Sequence, residues 1–220
     1  MDSSTKYFFE MKNVDVCLHS RNFVKKIHGT NLKVRIKMID DLVQRQKDPA
    51  ALEINDLILK LDHIAYRVKK GERRKLIDEL TTYIPSYREF KNFKVINANA
   101  ITTCIQLHET LPVIVISEGI SEDSIVEQYC QNYGSRVHHL AYLVKDIRRV
   151  VEVQKQRRIE FTTEKIIGSE EEGILQIFTM PTETTNHIIE YIQRFGDFDG
   201  FFTPSNIAEL MQSTEKLGEA

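Results

Sequence analysis

Three things are scarce in this sequence, and each scarcity closes off a class of function. Positive charge is not in excess: 30 Lys and Arg against 32 Asp and Glu leave a formal net charge of -2 at pH 7. Nucleic acid and anionic membranes recruit proteins through a basic footprint, so neither is an expected partner. Long apolar runs are missing too. No stretch approaches the roughly 20 residues of a spanning helix, and the opening MDSSTKYFFEMKN has no apolar core of signal-peptide length. The expectation is a cytoplasmic protein. Cysteine is sparse as well: Cys17, Cys104 and Cys130 are odd in number, far apart, and match neither a disulfide framework nor a CxxC metal site. They read as ordinary small hydrophobes.

What is present is enough apolar material for a core. At 220 residues, 41 % hydrophobic and 28 % charged, the chain can bury one large domain or two small ones. Its main organisational signal is a repeat. LDHIAYRVKKGERRKLIDEL begins at Leu61 and VHHLAYLVKDIRRVVEVQKQ at Val137, sharing x-H-[IL]-A-Y-x-V-K at an offset of 76 residues. That period is too long for a solenoid and suits two copies of a small module.

Each copy reads as a strand, a helix and three more strands. In the first, strand 61–68 leads to a helix over about 71–84 and then to FKVIN, AITTCIQLH and PVIVIS. In the second, strand 137–144 leads to a helix capped by Asp146 and then to IEFTTEKII, GILQIFT and HIIEYIQR. SEDSIVEQYCQNYG between them predicts a connecting helix closed by Gly134. After the loop FGDFDGFF, Thr203-Pro204 opens a final helix. Ahead of the modules, LKVRIKMIDDLVQRQ spaces Leu32, Ile36, Ile39 and Val43 helically until Asp48-Pro49 breaks the pattern. The expected organisation is an N-terminal helical lead-in (1–57), a first βαβββ module (58–120), a linker helix with a second module (121–194), and a C-terminal loop and helix (195–220).

Paired βαβββ modules opening on a D-H-[IV]-A-like strand resemble the vicinal oxygen chelate superfamily, whose open half-barrels enclose a divalent metal. EQYCQNYGSRVHHLAYLVKDI, GILQIFTMP and IIEYIQRFG resemble, in order and spacing, the C-terminal domain of the 4-hydroxyphenylpyruvate dioxygenases. The resemblance covers about residues 58–215. It implies an α+β fold, an open half-barrel with an N-terminal helical extension. It also implies a metal held by His63, His139 and Glu190.

The chemistry of those residues agrees. Two imidazoles and one carboxylate with open positions form the facial triad of non-haem Fe(II) oxygenases, although Mn, Co, Ni and Zn accept the same donors. Glu190 shares a strand face with Ile188 and Ile192, where an ionised carboxylate is costly unless paired or coordinating. The plainer alternative is a Glu190–arginine ion pair with two core histidines. Superfamily members such as glyoxalases and methylmalonyl-CoA epimerases take a fourth ligand from the last strand of the first module. Aligning PVIVISEG on HIIEYIQR puts Val115 there, and a slip of two residues would put Ser117 there. Three protein donors would leave room for a bidentate 2-oxo acid and dioxygen, with oxidative decarboxylation and hydroxylation as the implied reaction, in the manner of aromatic amino acid catabolism.

The resemblance also places Gln176 and Phe178 against the substrate, with two further pocket positions at Ser117, where the dioxygenases carry Asn, and at Asn206, where they carry the same residue. Ile188 stands where they have Phe, Asn206-Ile207 replaces Asn-Phe, and Ile116-Ser117-Glu118-Gly119 replaces I-N-E-P. Those pocket walls are expected to be more aliphatic. His138, next to His139, should face away from it, and His187 should be a surface residue. Two further readings stay open: an epimerase or glyoxalase-type lyase, to which VHHLAYLVKDI and TEKIIGSEEEG are also similar, and a non-catalytic ligand-binding protein. Apolar half-barrel faces can pair within one chain or between two, so monomer and homodimer are both compatible with the sequence.

Overall fold

The computed structural model describes residues 47–85, 88–196 and 201–215. The helical pattern at Leu32–Val43 and Cys17 lie outside them. All described residues belong to one compact unit, Lys47–Ala220.

Helix α1 (Pro49–Leu57) precedes strand β1 (Ile58–Val68), helix α2 (Arg73–Tyr83) and strands β2 (Arg88–Val95), β3 (Ala100–Gln106) and β4 (Val113–Gly119). Helix α3 (Ile125–Tyr133) leads to β5 (Arg136–Val144), α4 (Ile147–Gln156), β6 (Ile167–Ser169), β7 (Ile174–Phe178), β8 (Ile188–Arg194) and α5 (Pro204–Ser213). Asp48-Pro49 starts a helix instead of only breaking one: the Asp48 carboxylate accepts from Ala50 N at 3.0 Å, and Pro49 takes the first helical position. The predicted strand IEFTTEKII is largely a loop, with a single bridge from Phe161 to Thr179 before the short β6. Inside β6, Gly168 adopts φ +92, and a Cβ there would stand 2.3 Å from Ile174 O.

The eight strands form one mixed sheet in the order β2-β3-β4-β1-β5-β8-β7-β6. Its symmetry follows the repeat. β1 runs parallel to β4 and β5 parallel to β8, and the two modules join through the antiparallel β1–β5 pair. Helices cover the outer faces with their apolar stripes: Ile77 of α2 packs with Ile105, Ile114 and Ile116, and Ile147, Val150 and Val153 of α4 pack with Ile177 and Tyr191. Burying each such side chain is worth about 1.5–3 kcal/mol. The inner face is closed by α3, α5 and Phe202. No helix among the described residues is long and apolar enough to cross a membrane.

Candidate metal centre

The junction of the modules sets the site by register. Across β1, β5 and β8, His63 pairs with Ala141 and Ala141 with Glu190. His63 and Glu190 are therefore two strands apart, roughly 10 Å in backbone terms, with only a methyl group between them. Their side chains reach over Ala141 and meet. Ala65 stands beside His139 in the same way.

The donor atoms converge closely. Glu190 Oε2 lies 3.1 Å from Nε2 of both His63 and His139, and the two nitrogens are 3.2 Å apart. Glu190 is 0 % exposed, and its Oε2 faces the two ring nitrogens. Three donors each about 2.1 Å from one ion at right angles would stand about 3.0 Å apart. The spacing and the buried carboxylate set against two imidazoles both fit a divalent cation. No arginine pairs with Glu190 among the described residues: Arg194, four residues along the same strand, binds Asp62 instead.

Electrostatics of the cluster without an ion point the same way. Burial would lower the His63 pKa, but the Glu190 charge and the Asp62 contact outweigh it and raise it to about 9. Burial would raise Glu190, yet the histidines hold it at about 2. His139 is pushed below its ordinary value by burial. The carboxylate thus favours positive charge on the imidazoles facing it, the charge a metal would supply.

Each histidine has a partner on its far nitrogen, contributed by the residue before it. His63 Nδ1 donates to Asp62 Oδ1 at 3.0 Å, and Arg194 clamps Asp62 through Nε at 3.1 Å and Nη2 at 2.9 Å. Burial would raise the Asp62 carboxyl, but these donors hold it well below the usual range. In the second module, His138 Nδ1 and His139 Nδ1 are 2.8 Å apart. For His139 to present an Nε2 lone pair, its Nδ1 must donate to His138.

His138 was expected to face away from His139, and it does not. The register steps from Ala65–His139 to Tyr66–Val137, so His138 is the extra residue of a β-bulge and turns to the same side as His139. Asp62 is likewise the extra residue between Leu61–Tyr142 and His63–Ala141. His138 is buried and lines the cavity. His187 is half-buried at the strand edge, its Nδ1 2.7 Å from Thr185 Oγ1.

The cavity over the cluster measures about 50 Å³, room for a few waters. Gln176 and Phe178 line it: Gln176 Nε2 donates to Glu190 Oε1, its Oε1 is buried and without a partner among the described residues, and Phe178 packs on His139 with centroids 4.8 Å apart. Val115 pairs with Ala65 as Glu190 pairs with Ala141, so Val115 occupies the fourth position without a slip. Ser117 lies two residues on, in the wall, with its Oγ 2.8 Å from Thr102 Oγ1. Asn206 is placed elsewhere. It is buried, both its amide atoms lack partners among the described residues, and it faces Gly168 of β6; its neighbour Ile207 lines the cavity. Asp62, Arg67, His138 and Arg194 are the site residues the sequence did not expose. The repeat offset that equates Asp62 with His138 was the one available signal for the outer partners.

No protein-family model matches the sequence, and no curated protein sequence matches it significantly. Solved structures do. A methylmalonyl-CoA epimerase is 19 % identical over 64 % of this chain and 98 % of its own, with a TM-score of 0.50. The methylmalonyl-CoA epimerase of Mycobacterium tuberculosis is 13 % identical over 64 % of this chain and 91 % of its own, with a TM-score of 0.52. A triple variant of the Streptomyces coelicolor 4-hydroxymandelate synthase is 22 % identical over 73 % of this chain and 54 % of its own, with a TM-score of 0.56. At such identities the likeness is one of fold. The eight-stranded curled sheet, its internal repeat and its neighbours together give this chain the vicinal oxygen chelate fold.

Proposed function

We propose that this chain is a non-haem Fe(II) dioxygenase acting on a 2-oxo acid. The observation that carries this reading is Val115, an aliphatic side chain in the fourth donor position, which leaves His63, His139 and Glu190 as a three-donor set. Fe(II) held by that set would supply the binding and activation of dioxygen. The chain's own residues do the rest. Asp62 and His138 fix the ring orientation of the two histidines, and Gln176 holds Glu190 by donating from its amide nitrogen. Phe178, Phe202, Ile207 and Met211 exclude water. These walls mix aromatic and aliphatic side chains, with Ile207 and Ile188 standing where the dioxygenases of the resemblance carry phenylalanines.

A second reading, a metal-dependent epimerase, is favoured by the similarity to methylmalonyl-CoA epimerases over nearly their whole length. Proton transfer there needs a base besides the ligands. Among the residues lining this cavity, Glu190 is the sole carboxylate, and it belongs to the donor set.

The test is anaerobic reconstitution with Fe(II), followed by oxygen-electrode assays with 4-hydroxyphenylpyruvate and other 2-oxo acids, wild type against Glu190→Ala. Substrate-dependent oxygen uptake with CO2 release, lost in the variant, is the expected result. Stoichiometric metal binding without oxygen uptake, together with solvent deuterium entering methylmalonyl-CoA, would establish the epimerase instead.

A further inference from the structure

The cavity holds a charge that the metal cluster does not use. Arg67 lies four residues beyond His63 on the same face of β1, roughly 13 Å along the strand, and is 4 % exposed. β4 sets Ser117 opposite it, and β3 sets Thr102 opposite Ser117. All three line the cavity.

Among the described residues no carboxylate lies within 4.0 Å of the guanidinium. Its Nη2 donates to Thr214 Oγ1 at 2.7 Å, and its Cζ stands 5.0 Å from the centre of the Tyr129 ring. Neither neutralises it, and Tyr129 Oη is itself buried without a partner among the described residues. Burial pulls the guanidinium pKa down to about 10, the direction of a cation short of compensation. A buried charge without a counter-charge is strongly unfavourable. Nor does the frame require one here: Leu143 occupies the equivalent position of the second module, 76 residues on.

We propose that Arg67, with the Thr102 and Ser117 hydroxyls, forms an anion subsite at the end of the cavity away from His63, His139 and Glu190, so that the substrate is a dianion with a second carboxylate there. The acid head at the metal rests on the proposed function; the Arg67 end does not. A guanidinium and a hydroxyl pair supply directed donors to a carboxylate, and the surrounding apolar walls strengthen them.

The test compares 2-oxoglutarate with 2-oxopentanoate, which has the same chain but ends in a methyl group. Both are titrated calorimetrically into the full chain, metal-free and Mn(II)-loaded. The dicarboxylate should bind at least about tenfold more tightly, the value of one charge-assisted contact. Arg67→Met, which keeps the apolar stem, should abolish that preference, and Arg67→Lys should retain part of it. Equal binding of the two acids to the wild type, or an undiminished preference in Arg67→Met, would overturn the proposal. If Arg67→Met does not fold, Arg67→Lys decides: a preference as large as the wild type's counts against directed guanidinium recognition. Dicarboxylate preference without any gain from Mn(II) leaves the subsite standing and sinks the metal reading. Equal gain from Mn(II) for both acids without preference does the reverse.

Discussion

The two modules share a frame and differ in what they hang on it. Position by position, Asp62, His63, Ala65 and Arg67 correspond to His138, His139, Ala141 and Leu143, and Thr102, Val115 and Ser117 to Gln176, Glu190 and Ile192. Both copies keep the histidine and the small alanine beside it. The second adds the carboxylate and the glutamine that holds it; the first puts valine at the carboxylate position and an arginine and two hydroxyls farther along. A duplicated half-barrel thus assigns most of the donor set to one half and the polar far wall to the other. The difference lies in a handful of inward-facing side chains, while the strand pairing stays symmetrical.

Breaking the asymmetry at its centre has the largest expected effect. Glu190→Ala should lower metal affinity by more than about 100-fold, since even outer partners are worth 10–100-fold, whereas Val115→Ala should leave the one-to-one stoichiometry intact. Calorimetric metal titration of both variants checks this. Val115→Glu restores the symmetry. It should lower the metal-free Tm by burying an unpaired carboxylate, recover it on adding metal, and cut oxygen uptake at least about tenfold by filling an open position.

Much of this was legible beforehand because the repeat is a sequence property. The offset matches His63 with His139, and one acid in an apolar stripe marks Glu190, but grouping the three as ligands comes from the resemblance; Val115 comes from aligning two terminal strands. What stayed hidden depends on register. Period-two alternation sends His138 to the opposite face from His139, and only a bulge, with no signature in VHHLAY, brings it back. Arg67 has the same problem from another side: a lone arginine in a strand reads as surface until its burial and missing counter-charge are known. Asn206 sits beside Gly168 while Ile207 lines the cavity, because a single helical position decides between the two faces, and that precision is beyond pattern reading.

The outer partners sharpen the comparison at the next level down. Asp62 bears a full charge that Arg194 anchors, so Asp62→Asn should weaken metal binding by about 10–100-fold. It also acts on pH dependence. With His63 raised to about 9 in the metal-free protein, binding must expel that proton. Apparent affinity should therefore rise about tenfold per pH unit from neutrality and level off near pH 9. Asp62→Asn removes part of what raises His63, so the plateau should begin at lower pH. A pH-independent affinity between pH 7 and 9 would show that His63 carries no proton to displace.

The smallest effect belongs to His138, the counterpart of Asp62. As a neutral acceptor it fixes the His139 tautomer without adding charge, and burial together with the nearby Arg67 cation pushes its pKa well below the ordinary value. His138→Phe keeps the ring volume and removes the acceptor, so metal affinity should fall about tenfold, near the lower bound for an outer partner. His138→Gln, which can still accept through its amide oxygen, should recover most of that loss. The pH plateau set by His63 should stay where it is in both variants. Equal losses in the two would mean that His138 acts by packing against Tyr129 and Phe178 and not through its nitrogen. The correspondence between the bulged residues of the two modules would then be one of backbone shape alone.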